Sequence, residues 1–148
     1  MPHIFTDLED VYFAGFFRRL AAIVYDSLLL AAIFMLYGFV GVAITGGEAN
    51  EHLIFKLLVW VIPFLFYGYF WQRAGQTLGM LAWRIRVQTE HGQSINTKQT
   101  FLRLMGGLCS WCCFGLGYLW LFIDKEKRTW PDIFSGTQVV VLPKKKKV

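Results

Sequence analysis

The chain has 148 residues, 55% hydrophobic, 18% aromatic and only 17% charged. Soluble domains run at about 45–50% apolar and about 25% charged, so this composition is that of a membrane protein and excludes an ordinary soluble domain. The formal net charge is +5, but four of the lysines form the run Lys144 to Lys147. The surplus is therefore a tail and not a basic face for nucleic acid.

Residues 4–17 carry Phe5, Leu8, Tyr12 and Phe16 at helical spacing, with Asp7, Glu9 and Asp10 elsewhere. That pattern predicts a short helix at headgroup level. A first span follows, from about Arg18 to Ile44, and its apolar core is far longer than the 7–15 residues of a signal peptide. It carries Arg18, Arg19 and Asp26, and charge in such a segment costs about 2.5–3.5 kcal/mol on insertion scales unless it pairs or lines a polar path. Arg19 and Asp26 share one face, two turns and roughly 10 Å apart, so they require a third group to join them.

A brief polar loop with Glu48, Asn50, Glu51 and His52 leads to a second span, about Leu53 to Phe70, with Pro63 in its middle. Lys56 is expected to snorkel, and Tyr67, Tyr69 and Trp71 followed by Arg73 mark the exit from hydrocarbon. Gln76 to Leu81 reads as a short surface helix. The alternation from Trp83 to Gln88, with turn chemistry at Glu90 to Gln93, predicts a hairpin over 84–95. The third apolar region, Phe101 to Ile123, holds Gly106, Gly107, Gly115 and Gly117 and is expected to break. Pro131-Asp132 and a β-type run at 137–142, closed by Pro143, complete the chain.

Arg18 and Arg19 before the first span, Glu48 and Glu51 after it, and Arg73, Arg84, Arg86, Lys98 and Arg103 after the second place the N-terminus in the cytoplasm. A single third crossing would leave Lys125, Lys127, Arg128 and the tail outside, against the charge rule. A strand at 137–142 also needs the 84–95 hairpin as its partner, on the same side. An even number of crossings is therefore favoured over three spans, with the third region bending back near Cys112 to Gly117. The expected fold is an all-α membrane bundle, two full spans plus a bent third region, with a small cytoplasmic β-element. Residues 1–143 form one domain and 144–148 a polybasic tail. Bending back also brings Asp132 to the head of the first span, which predicts one polar cluster of Arg19, Asp26 and Asp132.

At this point the chain resembles the RDD family of small bacterial membrane proteins, named for one arginine and two aspartates. The resemblance rests on residues 15–22 through Asp26, on Gly75-Gln76-Thr77-Leu78-Gly79, on Arg86-Val87 with the Gly92 turn, and on Asp132 with Gly136-Thr137 and Val139-Val140. It implies a multi-pass protein of the bacterial inner membrane, with Arg18, Gln76, Thr77 and Thr137 as auxiliary polar residues. Met80 and Pro131 stand where members often carry a basic residue and a histidine. Transport, including cation/proton exchange, is suggested for some members.

Two readings of the cluster remain open. It is either a network that fixes helix register or a path in which Asp26 is a protonatable site. The corresponding functions are a small transporter or exchange component centred on Asp26 and a non-transporting assembly or regulatory subunit. Cys109 to Cys112 has the C-x-x-C form, but in hydrocarbon the thiolate is disfavoured, which leaves a thiol oxidoreductase a distant third. His3, His52 and His91 lack metal-ligand spacing, and no nucleophile constellation or phosphate loop is present. No enzyme activity and no cofactor is expected. The expected partners are the bilayer, anionic lipids at Lys144, Lys145, Lys146 and Lys147, and a second copy or another membrane protein, with no nucleic acid.

Overall fold

A computed structural model describes residues 4–5 and 11–143. Two long helices dominate it, α1 (Phe16–Ile44) and α2 (Leu53–Arg73). Their 29 and 21 residues reach roughly 43 and 31 Å, and both are long and apolar enough to cross a membrane. Most of their large side chains face outward, Phe39, Ile54 and Trp60 among them. Pro63 sits inside α2 without ending it. At the far end of the pair, Gly41 lets the Phe55 ring press against the α1 backbone, and that ring stacks on Tyr37 at 4.1 Å. Lys56 pairs with Glu51 at this end.

The short helix α3 (Leu78–Ala82) and strand β2 (Ile85–Thr89) follow. The third apolar region is helical from Thr97 onward, α4 (Thr97–Cys112), and starts with a capping box in which Asn96 and Gln99 satisfy each other's amides. It breaks at Cys113 to Gly115, where Phe114 and Gly115 both have positive φ. The chain then continues as α5 (Leu116–Leu119) and a 3-10 turn, bent by 106° from α4. The break anticipated from the glycines is therefore present, at the expected place. Helix α6 (Trp130–Ser135) and strand β3 (Thr137–Val141) close the fold.

The β-element departs from expectation. No hairpin forms over 84–95: β3 lies at the centre of a three-stranded antiparallel sheet, between β2 and the two-residue strand β1 (Tyr12–Phe13). The turn after β2 closes through Gly92, and Gln93 bridges Ile4 instead of continuing a strand. The competing demand is the capping box, which commits Asn96 to starting α4 while Ile95 is buried in the core. Tyr12 and Phe13 likewise are strand and not part of a surface helix, and Phe16 already belongs to α1. The remainder of that expected helix, residues 6–10, and the lysine tail lie outside the described residues.

The buried core sits where the sheet meets the helices. Ile85, Val87, Val139 and Val141 pack with Ala14, Ala22, Trp71, Met80 and Ile95. The sheet's β2 edge is covered locally, since Val87 N donates to Gly75 O and Gln76 Nε2 donates to Ile85 O.

Candidate functional site

Asp132 is the fully buried centre of a polar cluster. Pro131 at the start of α6 suits a helix's first turn, where its missing N–H is not needed. Asp132 then reaches back to accept from Thr129 N at 3.1 Å. Its two oxygens are claimed by two arginines, Arg19 Nη1 to Oδ2 at 2.5 Å and Arg103 Nη1 to Oδ1 at 2.6 Å. Arg19 is held in place by donating from Nε to Ala14 O and from Nη2 to Lys127 O, at 3.0 and 2.9 Å. Arg103 also donates to Thr137 Oγ1, which shares a hydrogen bond with Ser135, and its guanidinium lies 5.1 Å from the Trp71 ring. Gly106 makes this approach possible, because a Cβ there would stand 2.8 Å from the Pro131 Cα. Burial pushes the Asp132 carboxyl up, but the charges of Arg19 and Arg103 and the donated hydrogen bonds outweigh it and hold the group down to about 2.

Asp26 does not join this cluster, which corrects the expected triad. It is buried, 2% exposed, on the face of α1 that carries α3. Its Oδ2 accepts from Thr77 Oγ1 and its Oδ1 from Gly79 N at 2.9 Å. Thr77 Oγ1 in turn accepts from Met80 N and caps α3. Gly79 is needed for the contact, since a Cβ would meet Ala22 O at 2.4 Å. Among the described residues no cation pairs with Asp26. The reason is geometric: Asp132 and the carbonyls of Ala14 and Lys127 turn Arg19 away from the second turn below it.

Of the auxiliary residues, Thr77 holds Asp26 and Thr137 holds Arg103. Gln76 braces β2, and Arg18 makes a long hydrogen bond at the surface to Trp83 O, 3.4 Å. Sequence reasoning placed Arg103 among the charges that set topology and missed it as the second partner of Asp132. Its position facing Gly106 and Gly107 on α4 was the available signal. Cys109 and Cys112 are free and exposed. Among the described residues no group of three or more His, Cys, Asp or Glu is placed to hold a metal ion.

Both polar groups border one cavity of about 660 Å³. Asp26, Arg19 and Arg103 line it together with Tyr67 and Tyr118, and most of the remaining wall is apolar, from α1, α2 and α4. Such a volume is typical of small-molecule sites.

The family model of the RDD family matches residues 13–136, which include every residue of both polar groups except Thr137. Comparison with curated proteins and with solved structures gave no match. The chain belongs to the RDD family, and its apolar helices are those of a membrane-type protein.

Proposed function

We propose that the protein is a small multi-pass transport component of the bacterial inner membrane, in which Asp26 is the site that takes up and releases a proton. The observation that carries this reading is the contrast between its two buried carboxylates. Asp132 is neutralised by two arginines and fixed, whereas among the described residues Asp26 is held only by a hydroxyl and an amide at the wall of a cavity. A buried carboxylate without a cation changes its charge more readily than one between two guanidinium groups.

The sheet supports an even number of crossings with both termini in the cytoplasm. Strand β1 precedes α1, β2 follows α2, and both pair with β3 beyond the bent region. Strands in one sheet share one side of a membrane. A path for solute needs more wall than two spans and a bent pair supply, so the working form is a homo-oligomer or a complex with another membrane protein. Lys144 to Lys147 would then sit on anionic lipid, and no chemical step is assigned to the chain.

Reconstitution into proteoliposomes carrying a pH-sensitive dye tests the reading. A cation or solute gradient is expected to move protons with the native chain and not with Asp26→Asn. Normal insertion of Asp26→Asn with undiminished flux would refute it.

A further inference from the structure

The donors around Arg103 are incompletely used. Its Nη1 serves Asp132 and Thr137, but among the described residues its Nε is buried with no acceptor, and so is Nε1 of Trp71, whose ring lies 5.1 Å from the guanidinium. Buried N–H groups without partners are rare and costly, and a ligand oxygen entering beside this pair would supply an acceptor. The planar fork of arginine suits a carboxylate in particular. Both side chains belong to the wall of the cavity, whose other surfaces include Trp60, Phe64, Phe101, Leu104 and Leu108.

We propose that the cavity binds a single-chain carboxylate amphiphile, with its head on the Arg103–Trp71 pair and its chain between α1, α2 and α4, accompanied by one proton on Asp26. This rests on Asp26 being the group that takes up protons. Charge balance requires the proton. Arg19, Arg103, Asp26 and Asp132 sum to zero, so an added anion leaves one uncompensated negative charge in an apolar site. Asp132, between two arginines, is not available to neutralise it. The other titratable groups around Asp26 are Tyr67 on α2 and Tyr118 on α5, both neutral phenols, and α3 contributes only the Thr77 hydroxyl and the Gly79 amide. An inorganic ion fits poorly, because the volume far exceeds the roughly 30 Å³ share of one water and the wall offers few polar groups to replace its hydration.

The test uses the full chain in non-ionic detergent and cis-parinaric acid, a fluorescent fatty acid that accepts energy from tryptophans such as Trp60 and Trp71 in the wall. Saturable energy transfer is expected, displaced by oleate but not by oleyl alcohol, with parinaric methyl ester binding about tenfold more weakly. Gly107→Leu, at a wall position with only the Tyr118 hydroxyl nearby, is expected to abolish it. Asp26→Asn is expected to bind the acid at least as tightly and to lose the accompanying proton uptake, read with a pH dye in weak buffer. Arg103→Gln is expected to lose binding, and should it fail to fold, the other two variants carry the test. Equal transfer for acid and ester, binding unaffected by Gly107→Leu, or weaker binding by Asp26→Asn overturns the proposal. Displacement by dioleoyl phosphatidate where oleate fails overturns the single-chain carboxylate. Proton flux without acid binding refutes this inference and leaves the proposed function standing.

Discussion

Replacing Asp132 by asparagine keeps the shape of the side chain and removes the negative charge that pairs with both Arg19 and Arg103. Both guanidinium groups lie at hydrogen-bond distance from it, 2.5 and 2.6 Å, and the carboxylate is fully buried. Removing one partner of a buried pair costs about 3–5 kcal/mol, because the remaining charge stays buried and uncompensated. Here two arginines are left facing each other, so the upper half of that range is expected. Proton linkage alone gives a smaller figure: a drop from 3.8 to about 2 corresponds to about 2 kcal/mol. Asp26→Asn is expected to cost only about 1–2 kcal/mol, since its partners are a hydroxyl and an amide that a neutral side chain can still partly serve. Thermal or denaturant unfolding in detergent measures both. In a double-mutant cycle, Arg103→Met should recover part of the Asp132→Asn loss. The reasoning fails if Asp26→Asn destabilises more than Asp132→Asn, or if the cycle shows no coupling.

Other outcomes follow from the same contacts. The Asp132 pKa is lower in the folded chain than unfolded, so its contribution is fully present above about pH 4 and is lost as pH falls toward 2. The native chain should therefore lose stability over that window, and Asp132→Asn should lose the corresponding part of the dependence in acid unfolding titrations. Gly79→Ala places a Cβ 2.4 Å from the Ala22 carbonyl oxygen and is expected to cost about 2–3 kcal/mol by forcing α3 from α1. Gly38→Ala, with nothing within 4 Å, should be neutral or stabilising by up to about 1 kcal/mol, which melting of the two variants side by side will show. A variant with Cys109, Cys112 and Cys113 all changed to alanine should keep proton flux unchanged, whereas lost flux would revive a thiol role.

Much of the helical part was legible in the sequence because uninterrupted apolar length, Pro63 notwithstanding, admits few alternatives. The break at Cys113 to Gly115 was legible for the same reason, since four glycines in 23 residues of Phe101 to Ile123 spoil a straight helix. The Arg19–Asp132 pair followed from charge arguments about where that region must end. What stayed hidden were choices among local competitors. Asn96 serves either a strand or a helix cap, and only Gln99 accepting the reciprocal bond decides for the cap. Residues 12–13 are too short for any periodicity to show that they extend the sheet. Asp26 sits at the right helical phase for Arg19, but phase does not reveal that Thr77 and Gly79 arrive first. Arg103 looked like one of several topology-setting cations, and its role depends on α6 packing against Gly106.

The claim that Asp26, and not Asp132, is the proton-exchanging carboxylate is open to direct observation. Infrared difference spectra of the reconstituted protein across a pH step report the carbonyl stretch of a protonated carboxyl group. A band that appears on acidification, persists in Asp132→Asn and disappears in Asp26→Asn is the predicted result. A band that survives in Asp26→Asn and vanishes in Asp132→Asn would contradict the account.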